Sequence, residues 1–177
     1  MVVRYGGDII KCVDDSPQMR VLVRSLLRAG GIIKVTEADT AAAALGVMRA
    51  ATVDLIILDW KMAPIDGLAF AHMVRWREDS PNPYVPIVML TAHTEASRVA
   101  AARDAGITGF VKKPISARML FDRISSALTD TRLFICSPDF RGPDRRHGQP
   151  STYAGPLRRA SDATGETVDV DDLRCRA

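Results

Sequence analysis

The chain has no apolar run approaching the roughly 18 residues that a membrane-crossing helix needs, so no membrane insertion is expected. Its N-terminus, MVVRYGGDII, lacks the long apolar region and small-residue cleavage site of a secretory leader, and a cytoplasmic location is expected. Cysteine is scarce. Cys12, Cys136 and Cys175 lie far apart with no CxxC pair, which excludes a zinc ribbon or a disulfide framework and fits a reducing compartment. Lysine is confined to Lys11, Lys34, Lys61, Lys112 and Lys113, so every cation of the last third is arginine. The net charge of +3, from 24 basic and 21 acidic residues, gives no general drive towards polyanions.

What is present is a regular alternation of strand and helix signals. Residues 8–14 (DIIKCVD) read as a strand ending in Asp14-Asp15, and Ser16-Pro17 starts a helix that Gly30-Gly31 stops. Residues 32–36 form a second strand, and Asp39-Thr40 opens an alanine-rich helix. The apolar run Leu55–Leu58 is too short for a helix and reads as a strand buried on both faces, ending at Asp59. A third helix spans about 67–77. A fourth strand, 85–91, ends at Thr91, with a helix after it from Thr94-Glu95 to Gly106. The fifth strand, 107–111, precedes Lys112-Lys113-Pro114, and a last helix covers about 116–128. This order predicts an α/β fold, a flavodoxin-like (βα)5 doubly wound parallel sheet over residues 1–129.

In such a sheet the strand C-termini converge on one rim, where ligands bind. That rim would carry Asp14, Asp15, Asp59, Thr91 and Lys113. Three carboxylates repel one another unless a cation holds them, and hard oxygen donors suit Mg²⁺. A lysine ammonium and a threonine hydroxyl opposite them are suited to holding phosphoryl oxygens.

The stretches VDDSPQMR, LDWKMAPIDG, MLTAH and VKKPIS resemble, in order, the motifs of the CheY-like receiver domain of response regulators. The resemblance implies that Asp59 is the phosphoacceptor, served by a histidine kinase, and that Asp14 and Asp15 place Mg²⁺. It also implies that the Lys61 carbonyl completes the metal shell, that Thr91 and Lys113 grip the phosphoryl group, and that Phe110 is the switch aromatic. A signalling protein and not an enzyme is expected. Lys61 and His93, two residues after Asp59 and Thr91, flank the expected phosphoryl site.

From residue 130 apolar periodicity fades and Pro, Gly, Ser, Arg and Asp dominate. Residues 130–177 are expected to be a largely irregular, arginine-rich tail that orders on ligand binding. It holds a near-repeat, Arg141-Gly142-Pro143-Asp144-Arg145-Arg146 and Ala154-Gly155-Pro156-Leu157-Arg158-Arg159, with each Gly-Pro expected to set a turn before an arginine pair. Phe140 and Tyr153 offer stacking surfaces. Guanidinium groups read the O6/N7 edge of guanine, stack on purines and pair with phosphate. Asp162, in the RxxD Arg159–Asp162, can accept the N1 and N2 protons of guanine. That RxxD is similar to the inhibitory cyclic di-GMP site of diguanylate cyclases, and the layout resembles the arginine-rich tails of CheY-like cyclic di-GMP effectors of alphaproteobacteria. The resemblance implies c-di-GMP binding through Arg141, Arg145, Arg146, Tyr153, Arg158, Arg159 and Asp162. It further implies docking on a flagellar motor switch protein, recruitment to the flagellated pole, and control of motility or surface attachment. The alternative is a phosphorylation-driven single-domain response regulator whose tail binds a protein or nucleic acid. Asp139, Asp144, Asp162 and the acidic stretch 166–172 argue against nucleic acid.

Overall fold

The computed structural model describes residues 10–92, 96–144 and 166–168. Strands β1 (Ile10–Val13), β2 (Val35–Ala38), β3 (Leu55–Asp59), β4 (Ile87–Thr91) and β5 (Gly109–Lys112) pair in parallel in the order β2-β1-β3-β4-β5. Between and after them run α1 (Pro17–Ala29), α2 (Ala41–Ala50), α3 (Gly67–Trp76), α4 (Ala96–Asp104) and α5 (Ala117–Leu128). This is the flavodoxin-like arrangement expected. Four helices begin on a capping side chain: Ser16 accepts from the Met19 N–H, Thr40 from Ala43, Asp66 from Ala69 and Ser116 from Met119.

Alternation along the central strand divides the core. Ile56 and Leu58 join Val13, Phe70, Val74 and Met89 beneath α2, α3 and α4. Leu55 and Ile57 join Cys12, Val23, Leu27 and Ile124 beneath α1 and α5. With both faces covered, β3 and β4 are buried along their whole length, as their unbroken apolar runs require.

Several expected boundaries move. The second strand starts at Val35 and not at residue 32, because the Ile32 N–H donates to the Leu27 carbonyl and closes the exit of α1. The fourth starts at Ile87, after Pro86, which has no N–H for the ladder but whose carbonyl accepts from Ile56. The fifth starts at Gly109. The expected helix start at Thr94-Glu95 lies outside the described residues.

The larger difference comes after α5. Residues 130–144 are folded against the receiver and are not irregular. β6 (Phe134–Cys136) and β7 (Arg141–Pro143) form an antiparallel hairpin, and β8 (Glu166–Val168) pairs on the other side of β6. The turn Ser137-Pro138-Asp139-Phe140 closes it, with the Ser137 N–H donating to the Phe140 carbonyl at 2.8 Å and the Phe140 N–H to Ser137 Oγ at 3.0 Å. Phe134 and Phe140 are buried. Phe134 lies edge-on to Tyr84, with ring centroids 5.0 Å apart, and beneath the Arg75 guanidinium, and β7 lies against α3 and α4. Gly142-Pro143, expected to form a turn, lies in the extended strand β7, and Phe140, expected as a stacking surface, is enclosed.

That corner depends on glycine. Gly106 has φ +80°, which ends α4 in the left-handed region. A Cβ on Gly142 would lie 2.7 Å from the Gly106 Cα, so the hairpin seats by direct backbone approach.

Candidate functional site

Asp14 follows β1, Asp59 closes β3, Thr91 closes β4 and Lys113 follows β5, so the parallel topology delivers all four to one rim, as expected. Carboxylate oxygens of Asp14, Asp15 and Asp59 lie within 4.8 Å of one another. Asp14 and Asp59 are buried, whereas Asp15 is exposed. Lys113 Nζ lies 2.7 Å from Asp59 Oδ1 and 3.9 Å from Asp14 Oδ2.

The loops around these residues hold them in place. Asp14 Oδ1 accepts from the Ser16 N–H at 2.8 Å, and Arg20 donates to the Asp14 carbonyl at 2.7 Å. Asp15 Oδ2 accepts from the Ala63 N–H at 3.2 Å, tying the first rim loop to the third. Gly67 opens α3 directly against β3: its N–H donates to the Trp60 carbonyl at 2.8 Å, and a Cβ there would lie 2.3 Å from the Asp59 carbonyl oxygen. The Lys113 N–H donates to the Thr91 carbonyl at 2.8 Å, setting those two residues side by side.

The electrostatics point to a cation. Burial pushes the Asp14 carboxyl up from its ordinary value, and the charges of Asp59 and Asp15 push the same way; the Ser16 N–H and Lys113 oppose them. Asp14 Oδ2 is buried with no hydrogen-bond partner. An orphaned oxygen facing two further carboxylates fits an oxygen-liganded divalent ion such as Mg²⁺, to which Asp14, Asp15 and Asp59 would each offer a ligand.

Of the other expected residues, the Lys61 side chain is exposed beside the site, and Phe110 is half-buried against the core under α4. His93 lies outside the described residues, as do Arg145, Arg146, Tyr153, Arg158, Arg159 and Asp162. Arg141 is described: its guanidinium carbon lies 5.0 Å from the Trp76 ring centroid and it donates to the Arg75 carbonyl at 3.4 Å. It faces the receiver, engaged in seating the hairpin.

Sequence reasoning missed Arg75, which is fully buried on α3. It donates to the carbonyls of Pro83 (2.6 Å), Val85 (2.8 Å) and Gly106 (3.0 and 3.2 Å), and its guanidinium lies 5.3 Å from the Phe134 ring centroid. The available signal was its position one turn beyond the buried Ala71, on the apolar stripe of the helix.

A buried aspartate at the tip of a central parallel strand thus shares one rim with two acidic neighbours, a lysine and a threonine. The chain matches the response regulator receiver domain over residues 10–125, and it belongs to that family. It is 32% identical over 115 residues to the chemotaxis protein CheY of Pseudomonas aeruginosa, covering 65% of this chain and 91% of that one. To CheY-3 of Vibrio cholerae it is 30% identical over 115 residues, covering 65% and 87%. The solved structure of the V. cholerae chemotaxis protein CheY4 superposes with a TM-score of 0.63 at 30% identity, covering 68% of this chain and 98% of that one. Receiver domains bind Mg²⁺ at such an acidic site. The family match stops short of the hairpin and of everything after it. Among the described residues, no helix is long and apolar enough to cross a membrane.

Proposed function

We propose that this protein is a CheY-like signalling switch whose phosphoacceptor is Asp59. The observation that carries the reading is the Lys113–Asp59 contact at 2.7 Å within the three-carboxylate cluster. An Asp59 carboxylate oxygen attacks the phosphorus of a phosphodonor. One P–O bond forms as the bond to the donor, an imidazole nitrogen if a histidine kinase serves it, breaks. Lys113 is already in contact with the reacting carboxylate, so it can transfer its charge to a phosphoryl oxygen with little rearrangement. The Thr91 hydroxyl, beside it, donates to another. Asp14, Asp15 and Asp59, with the Lys61 carbonyl, would hold Mg²⁺, which would supply charge neutralisation for the incoming phosphoryl group. Phe110 is the aromatic whose packing responds. The output is binding and not catalysis, and the partner is a flagellar motor switch protein.

With acetyl phosphate and Mg²⁺, the intact mass should show one added phosphoryl group on the wild type and none on Asp59→Asn. Equal labelling of both, or no labelling of the wild type, sinks the assignment.

A second input is favoured by the duplicated Gly-Pro-x-Arg-Arg motif. The tail beyond the hairpin binds c-di-GMP, with Arg145, Arg146, Arg158 and Arg159 as guanidinium arms and Asp162 and Tyr153 as guanine contacts. Ordering such arms on a ligand costs conformational freedom but makes the change of shape itself the signal. Arg141 is left out of this set because it faces Trp76.

A further inference from the structure

The hairpin and the acceptor site touch the same elements at opposite ends. α3 begins at Gly67, packed on the Asp59 carbonyl, and ends at Arg75 and Trp76, which hold Phe134 and Arg141. β4 ends at Thr91, while the Val85 carbonyl just before it accepts from Arg75 at 2.8 Å. β5 leads to Lys113, while the Thr108 carbonyl at its entry accepts from Arg132 at 3.1 Å, and Arg132 is itself paired with Asp130 at 2.6 Å. The Thr108 hydroxyl also accepts from the Ile87 N–H at 3.0 Å, joining the entries of the two strands. α3 and β5 are therefore gripped at the ends away from the rim by residues of the segment 130–144, and the entry of β4 is joined to both through Arg75 and Thr108.

These elements are short and close-packed. α3 is about 15 Å long at 1.5 Å per residue, and its buried face cannot shift independently of its ends. Packed elements of this kind move between discrete arrangements and do not deform smoothly. The corner itself has no slack: Gly106 and Gly142 meet backbone to backbone, and a Cβ on Gly106 would lie 2.3 Å from the Arg141 carbonyl oxygen. A small displacement of α3 or of the β4 and β5 entries must therefore be taken up by the hairpin seat.

We propose that the β6–β7 hairpin is an output element of the receiver, its seat on α3 and the α4–β5 corner energetically coupled to occupancy of Asp59. This rests on the phosphoacceptor reading and adds to it a route to whatever follows residue 144. Coupling of this kind is reciprocal, so a ligand that fixes the hairpin from its far side would in turn alter the acceptor site.

Cys136, half-buried in β6, reports the seat, and Cys12 is fully buried. The full-length protein is saturated with Mg²⁺ and beryllofluoride, whose binding is read from its own fluorine resonance. Alkylation of Cys136 is followed by peptide-resolved mass spectrometry. Phe134→Ala, which weakens the seat, should speed the reaction and so verifies the reporter. Bound beryllofluoride should change the Cys136 rate by about fivefold or more, and Asp59→Asn should remove the change. Beryllofluoride bound with an unchanged rate overturns the coupling and leaves the phosphoacceptor reading standing. A resonance that never leaves its free position removes the phosphoacceptor reading, and the coupling falls with it.

Discussion

Arg75 and Cys12 show how far a side chain's environment departs from its usual one. Burial lowers the Arg75 guanidinium to about 9, still cationic at neutral pH, and its charge is met by three backbone carbonyls and the Phe134 ring. Removing it leaves those carbonyls buried without donors. Arg75→Met is expected to cost about 3 kcal/mol or more in urea unfolding. Arg75→Lys should restore little, because a single ammonium cannot reproduce the planar fork. An unchanged midpoint in either variant would show that the hairpin seat does not depend on the guanidinium. The Cys12 thiol, enclosed beneath α1 and α5, is pushed up to about 12, chiefly by burial. In the unfolded chain it ionises at its ordinary value near 9. Between those values the unfolded state loses its proton while the folded state keeps it. The stability held below pH 9 should therefore fall as pH rises towards 12, by at most about 1.4 kcal/mol per pH unit. Denaturant unfolding from pH 8 to 11 should show a shallower decline for Cys12→Ala than for the wild type, since other titrating groups are common to both.

At the scale of elements, the hairpin ties residues 130–144 to the receiver. A chain cut after Thr129 loses the buried Phe134 and Phe140 and uncovers Trp76 and Arg75. Burial of each phenylalanine contributes about 1.5–3 kcal/mol, so this truncation should be less stable by about 3 kcal/mol or more. A chain cut after Asp144 keeps both phenylalanines and loses the β8 edge of β6, so it should unfold closer to the full-length protein than the chain cut after Thr129. Thermal unfolding of the three decides it, and equal midpoints for both truncations would mean the hairpin contributes nothing to stability. The five strands, the five helices and the residues of the acceptor rim were legible because each rests on local information: a period of apolar residues, a capping side chain, a polar residue at a strand end. The hairpin was not, because its apolar residues are too few for a core and its glycines, prolines and arginines read as loop. Its stability is tertiary, drawn from Arg75, Trp76 and Gly106. Ser137-Pro138-Asp139 was a readable turn signal, but its meaning required the groove that receives it. Lys11 was hidden for the same reason: a lysine within a strand reads as solvated, yet it is buried, with Nζ donating to the Glu37 carbonyl at 2.9 Å.

At the scale of the whole molecule, the distribution of charge constrains what the chain beyond the hairpin binds. Residues 130–177 hold eight arginines and eight carboxylates, so the formal excess of +3 belongs to the receiver and the segment beyond it is balanced. A balanced segment gains little from counterion release along a nucleic-acid backbone, whereas paired guanidinium arms can still satisfy a compact ligand presenting two guanines and two phosphates. Calorimetric titration of c-di-GMP into the full-length chain and into the chain ending at Asp144 separates these cases, since the second keeps the hairpin and loses every proposed contact. Binding is expected only to the full-length protein, and it should weaken by roughly tenfold or less between 50 and 200 mM salt. Binding that needs several released counterions would weaken by about 10³-fold or more over the same range. Arg145→Ala with Arg146→Ala, and Arg158→Ala with Arg159→Ala, should each reduce affinity, and a loss from only one pair would assign the ligand to a single arm. Heat from neither chain would remove c-di-GMP from the reading. Equal heat from both would place the ligand on residues 1–144, where the arginine pairs beyond Asp144 have no bearing on it.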